Sequence, residues 1–473
     1  MSASRSLRRS AQGALAAAAV LVTTMSGAFA LKGAPELVLS PTVGSPTTRV
    51  VATGSGFGSA ETIDLAFDEQ GVAVTTTRSD GRFRAAFRVC SDTPPGPHTV
   101  TATGNSSGAI ARATFTVRTD WKQEAFDSAH TGVNPYENVL SISNVSQLVP
   151  MWVVDKPVEV MGSPLMVDGV VYTGGWIRGT SATDLYALDA ETGATLWRTR
   201  QANADAITGV AAAGGRVFLS TVSDHNLRAF AAATGRHLWA LHLDGAVGGP
   251  TLARGLVYVQ TNAGSVYAVR PDTGEIAWRR DYNGDLAHSP ALADGVVYVA
   301  GGVTGQVRAL DAADGHLLWR TRLRDQPFSS PAVAGGMVYV SATEAGLYAI
   351  DAATGEVVWR RVTGSGTESM PAIDNNNVYV GDVDGVLHAF DRTTGNPLWT
   401  SVTPFRYVLA SPVVANGVIY TATHGFFALD PETGDRLWAC PTDVVNTTPA
   451  VANGVVYLGD FKGKVYAFHL PSG

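Results

Sequence analysis

The chain has 473 residues and a formal charge of −7; charged residues make up only 16% of it, while hydrophobic residues reach 45% and glycine is frequent. Such a composition suits many short strands joined by tight turns, and it excludes a disordered chain or one built from long helices. The acidic balance argues against nucleic acid or an anionic membrane surface as the main partner.

At the N-terminus, Arg5, Arg8 and Arg9 precede an apolar run over 14–22 and a small-residue stretch ending in Ala28-Phe29-Ala30. That order is expected of a secretory signal peptide, residues 1–30, cleaved after Ala30. The apolar run is too short to span a bilayer comfortably, so cleavage leaves no transmembrane segment and implies an extracytoplasmic protein, secreted or held at the cell surface. Losing three arginines moves the charge from −7 to −10. The paired Arg8-Arg9 also permits twin-arginine export.

Residues 33–119 are expected to form one small β-sandwich. Alternating segments over 48–52, 62–67 and 98–102 are separated by Gly, Asp-Gly and Pro-Pro-Gly turns. Gly54-Ser55-Gly56-Phe57 and Ser79-Asp80-Gly81-Arg82-Phe83 resemble the immunoglobulin-like modules of bacterial surface and secreted proteins, which implies a spacing or adhesive role. Residues 120–146 follow as a linker and lead-in.

From 147 to 473 the chain repeats. Tryptophans stand at 152, 197, 239, 278, 319, 359, 399 and 438, with gaps of 45, 42, 39, 41, 40, 40 and 39 residues. A period near 40 accommodates four short strands with their turns, the size of one propeller blade. Eight strands of the type Val170-Val171-Tyr172 recur with the same spacing, from Val217-Phe218 to Val456-Tyr457. The expected fold is therefore all-β: an eight-bladed β-propeller preceded by a small immunoglobulin-like β-sandwich. The last repeat stops before a tryptophan and the first tryptophan lacks a strand trio, so the Trp152 strand is expected to complete the C-terminal blade. Closure of that kind leaves no open sheet edge. Within a repeat, a turn such as Asp351-Ala352-Ala353-Thr354-Gly355 places an aspartate to accept backbone N–H bonds and a glycine at positive φ. The tryptophan is assigned to packing between neighbouring blades.

The pattern over 187–197, Ala-Leu-Asp-Ala-Glu-Thr-Gly-Ala-Thr-Leu-Trp, resembles the tryptophan-docking repeat of quinoprotein alcohol dehydrogenases and of the outer-membrane assembly propeller of Gram-negative bacteria. Phe126-Asp127-Ser128-Ala129-His130-Thr131-Gly132 is similar to the lead-in of quinoprotein propellers, including those called polyvinyl-alcohol dehydrogenase-like. For the dehydrogenases the resemblance implies pyrroloquinoline quinone (PQQ) and calcium, with the quinone held over a disulfide of adjacent cysteines. Here the cysteines are Cys90 and Cys440, far apart in the chain, and no member of the calcium ligand set maps onto this sequence. Whether the two pair with each other is left open by the sequence, since export permits both a disulfide and free thiols.

The expected binding surface is one mouth of the central channel, where the loops before the inner strands converge. Repeat alignment places Asp205, His288, Phe328, Glu368, Arg406, Tyr407 and Asn446 there. These polar and aromatic types on loops suit recognition; no catalytic role is assigned to any of them, and no metal site is expected. The functional expectation is a secreted, noncatalytic binding or scaffold protein whose partner is a protein or a cell-envelope polymer. The alternative is a PQQ-dependent dehydrogenase oxidising an alcohol or a sugar.

Overall fold

The computed structural model describes residues 34–204, 206–282, 288–301, 303–343, 346–403, 410–443, 445 and 447–471. The leader expected over 1–30 lies outside the described residues.

The N-terminal strands form two facing sheets. One holds Glu36–Ser40, Arg49–Ser55 and Phe83–Arg88; the other holds Val43–Gly44, Ile110–Val117, Gly96–Gly104, Thr62–Phe67 and Gln70–Thr76 in that order. Strict alternation along Thr62–Phe67 buries Ile63, Leu65 and Phe67 and exposes Thr62 and Asp64. Val50, Phe57, Val100 and Phe115 join them in a single closed core. This period of two is what makes a two-sheet sandwich the stable solution for the segment.

Eight four-stranded antiparallel blades follow. The first is Glu159–Val167, Val170–Trp176, Ala182–Asp189 and Thr195–Ala202, each strand paired with the next. Blades two to seven repeat that meander. Their inner strands are Ile207–Ala213, Thr251–Ala253, Ala291–Ala293, Ala332–Ala334, Ala372–Ile373 and Val413–Ala415. The eighth takes Ala450–Ala452, Val455–Gly459 and Lys464–His469 from the C-terminal end and its outermost strand, Val149–Asp155, from the start of the ring. Count and closure are as the tryptophan spacing required. His469 pairs with Val149 across this junction, so the eighth blade has no turn there for an aspartate to cap.

The tryptophans join blade to blade. Each indole N–H donates to a main-chain carbonyl of the following blade: Trp152 to Ala190, Trp197 to Ala232, Trp239 to Pro271, Trp278 to Ala312, Trp319 to Ala352, Trp359 to Arg392 and Trp399 to Pro431, at 2.8–3.2 Å. The ring face rests on the turn glycine beyond that carbonyl, which is why a side chain cannot stand there: a Cβ on Gly355 would lie 2.7 Å from the Trp319 ring. In blades one, three, four, five, six and eight the second-strand tyrosine reaches the same carbonyl as the tryptophan, for example Tyr298 at 3.4 Å from Ala352. The turn aspartates act as expected, Asp351 accepting from Ala353 N, Thr354 N and Thr354 Oγ1.

Residues 121–137 do more than connect. At one register position of each inner strand, the main chain bonds to this segment in blade order. The N–H groups of Met166, Ala212, Leu292, Val333, Ile373 and Val414 donate to the carbonyls of Trp121, Lys122, Ser128, Ala129, Thr131 and Gly132. Leu252 N donates to Gln123 Oε1, and the Val451 carbonyl accepts from Asn134 Nδ2. One short stretch thus touches all eight blades. It gives inner-edge main-chain groups, which have no neighbouring strand on that side, their hydrogen-bond partners.

Candidate functional site

Each inner strand starts at one face of the ring and ends in a turn at the other. The turns at Asp168 and Asn453 meet the sandwich: Asn453 exchanges two hydrogen bonds with the main chain of Thr119, and Arg118 pairs with Asp168. The Ser-Pro and Thr-Pro starts therefore open on the face away from the sandwich, and the channel segment lies beneath them as a floor.

That mouth is a cavity of about 240 Å³ lined by Glu124, Thr208, Gly249, His288, Ser289, Phe328, Ser329, Ser330, Glu368, Met370, Ser411 and Thr448. Three of the residues expected there, His288, Phe328 and Glu368, line this one cavity although they come from three blades. The His288 and Phe328 rings meet edge to face with centroids 6.1 Å apart. Asp205, Arg406, Tyr407 and Asn446 lie outside the described residues.

The serines at the strand starts are inter-blade links. Ser330 Oγ accepts from Ser289 N, Ser411 Oγ from Met370 N, and Ser163 Oγ from Thr448 N, each at 3.0 Å. They hold the rim at fixed width, which pre-organises the mouth.

Two channel residues were not foreseen as part of it. Glu124 receives a 3.1 Å hydrogen bond from Ser289 Oγ, and burial pushes its carboxyl above the usual range. Below it His130 is buried between blades three and five, with Nδ1 3.2 Å from the Pro331 carbonyl and Nε2 3.2 Å from Thr251 Oγ1. A carbonyl only accepts, so Nδ1 carries the proton and Nε2 accepts from the threonine. Burial holds the imidazole neutral, with its pKa down at about 4. Asp127 is likewise raised by burial while it caps Thr131 through both N and Oγ1. Their common signal in the sequence is the segment 126–132; Glu124, just ahead of it, carries none.

A larger cavity, about 810 Å³, lies on the opposite face between the sandwich and blades one to three. Its charges are mostly paired, Arg216 with Asp272 at 3.0 Å and Arg118 with Asp120 at 3.1 Å. It is a seam between two packed units, whereas the smaller mouth sits on the ring axis with carboxylates and an aromatic pair turned inward.

The cofactor set of a calcium quinoprotein asks for at least three clustered oxygen ligands and positive charge for a tricarboxylate quinone. Among the described residues no group of three or more His, Cys, Asp or Glu could hold a metal ion. The described lining offers Glu124 and Glu368 and neither lysine nor arginine, and the two cysteines are both unbridged. The described residues do not fit that group.

No helix among the described residues is long and apolar enough to cross a membrane. A family model described as outer membrane protein assembly factor BamB matches residues 118–278 and 262–473. Among curated proteins, the quinohemoprotein alcohol dehydrogenase ADH IIB of Pseudomonas putida is 31% identical over 209 residues, 39% of this chain and 29% of that enzyme. The matched stretch is thus under a third of the relative's length. Two solved structures share the fold: BamB from Moraxella catarrhalis, with a TM-score of 0.58 at 20% identity over 68% of this chain and 99% of its own, and a europium-containing methanol dehydrogenase, with 0.64 at 14% over 74% and 98%.

Proposed function

The chain belongs to the family described as outer membrane protein assembly factor BamB, and from that premise we propose a noncatalytic binding or scaffold role outside the cytoplasm. The propeller mouth is the recognition face and the sandwich, of immunoglobulin-like type, is the spacer that carries it. The observation behind this is the arrangement of the channel. The segment 121–137 occupies it and bonds to all eight blades, so the channel beneath the described mouth is filled by the chain itself. Glu124, Glu368 and the His288–Phe328 pair suit a cationic or hydroxyl-rich group presented by a protein or an envelope polymer, held by charge-assisted hydrogen bonds and ring contact.

A second reading, PQQ-dependent oxidation of an alcohol or sugar, is favoured by the similarity to quinohemoprotein alcohol dehydrogenases. No step is derived for it, because the described mouth lacks the donor set.

Photocrosslinking in the producing cell tests the binding role. A benzophenone side chain in place of Phe328, at the mouth, is expected to give a discrete adduct with an envelope component; one in place of Leu398, on the outer edge of blade six, is expected to give none. Adducts only from the outer edge would move recognition away from the mouth.

A further inference from the structure

We propose that the end of the sandwich farthest from the propeller is a binding site for a linear phosphate-bearing polymer. Arg78, Arg82 and Arg84 line a shallow depression of about 410 Å³ together with the Thr53 and Ser55 hydroxyl-bearing residues. Glu36 is the one acidic residue in that lining. All three arginines are exposed, and none makes an ion pair among the described residues.

The same sheet face continues the charge. In Phe83–Arg88 the side chains of Arg84 and Arg88 point outward while Phe83 and Phe87 are buried. The two arginines are four residues apart, so their Cα atoms are separated by about 13 Å along the strand. Arg49 stands directly opposite Arg88 across the antiparallel pair. Like charges at such positions destabilise a sheet, so the fold bears a cost here that an anionic ligand would relieve. The chain as a whole is acidic, at −7, which makes a face with five arginines a departure from its background and steers a polyanion to this spot.

Shape selects the partner. A concave site admits a strand of polymer, whereas a flat layer of lipid headgroups reaches only its rim. The planar guanidinium fork matches phosphate oxygens in pairs, which a lysine surface would not do. Position supports an anchoring role: the C-terminal end of this strand leads to Ser91 and Thr93, whose carbonyls accept from Asn138 beside the propeller. The arginine depression is therefore at the free end, and bound polymer would leave the channel mouth on the other face open. This site is independent of the mouth and of its proposed role.

The test is a calorimetric titration of the full mature chain with short-chain inorganic polyphosphate at several salt concentrations. Saturable binding that weakens as salt rises is expected. In the triple variant R78A/R82A/R84A, affinity is expected to fall on the order of 10-fold or more and the salt slope to drop by about 2, as for three lost phosphate contacts on a flexible strand. An unchanged melting temperature would show that the variant is folded, and Arg436→Ala, exposed on blade seven, is expected to bind as the parent does. No binding by the parent, equal binding by the triple variant, or tighter binding of polyglutamate or anionic vesicles than of polyphosphate would each overturn the proposal.

Discussion

The indole N–H of Trp438 donates to the carbonyl of Leu148 at 3.1 Å, joining residues 290 apart in sequence. Every other repeat tryptophan docks on a turn inside the following blade. The eighth blade has no such turn, because its outer strand comes from the beginning of the ring, and Leu148 just before that strand supplies the missing acceptor. Tyr420, whose counterparts share the tryptophan's acceptor, is buried here with no partner for its hydroxyl among the described residues. The Trp438 ring also meets Phe426 and Phe468 edge to face, so this contact joins the pairing of Val149–Asp155 to Lys464–His469 in closing the ring. Trp438→Ala should lower stability by about 3 kcal/mol, and Trp438→Phe, which keeps most of the packing, by about 1 kcal/mol. Denaturant unfolding measures both; a neutral alanine variant would mean that the ring does not close through this contact.

Turn glycines separate into two kinds. Gly355 has φ +79° and lies under Trp319, whereas Gly336 has φ +77° with open space where a Cβ would go. Both alanine variants carry backbone strain of about 1 kcal/mol, but only Gly355→Ala also displaces the indole. Its melting temperature should fall clearly further than that of Gly336→Ala. Equal losses would mean that backbone conformation alone fixes these positions.

His130 makes stability depend on pH. The unfolded chain takes up a proton on this side chain near pH 6.5 and the folded chain only near 4, so acid favours unfolding across that interval. The loss grows as pH falls and reaches about 3 kcal/mol once both states are protonated. Glu124 and Asp127 act with the opposite sign: their folded carboxyls are raised, so lowering pH through those values relieves buried charge. The histidine part is isolated by His130→Asn, whose amide can still donate to Pro331. Between pH 7 and 4.5 that variant should lose less stability than the parent, and identical losses would remove His130 as the source.

Cys90 is exposed and Cys440 partly buried, and both are free. Thiol titration of denatured, unreduced protein should give two equivalents. In the native state Cys90 should react first, since burial also raises the Cys440 thiol above its usual range and lowers its thiolate fraction. No free thiol under denaturing conditions would establish a bridge.

The ring was legible in the sequence because its contacts repeat. Eight tryptophans at nearly constant spacing report seven equivalent docking events and the closing one of Trp438 on Leu148, and the Val-Tyr strands report eight buried second strands. The channel segment was legible only as a resemblance carried by residues 126–132. Its contacts run mainly through the backbone carbonyls of Trp121, Lys122, Ser128, Ala129, Thr131 and Gly132, and backbone groups leave no residue pattern to read. Repeat alignment brought His288, Phe328 and Glu368 to one mouth because equivalent loops converge on the axis. It could not find Glu124, which reaches the mouth from outside the repeats.

The most direct measurement is a calorimetric titration of the mature protein with PQQ in the presence of calcium. A binding propeller with this mouth predicts no saturable heat and unchanged tryptophan fluorescence. One-to-one, calcium-dependent binding, followed by reduction of an artificial electron acceptor when an alcohol or sugar is added, would contradict it and establish a quinoprotein dehydrogenase.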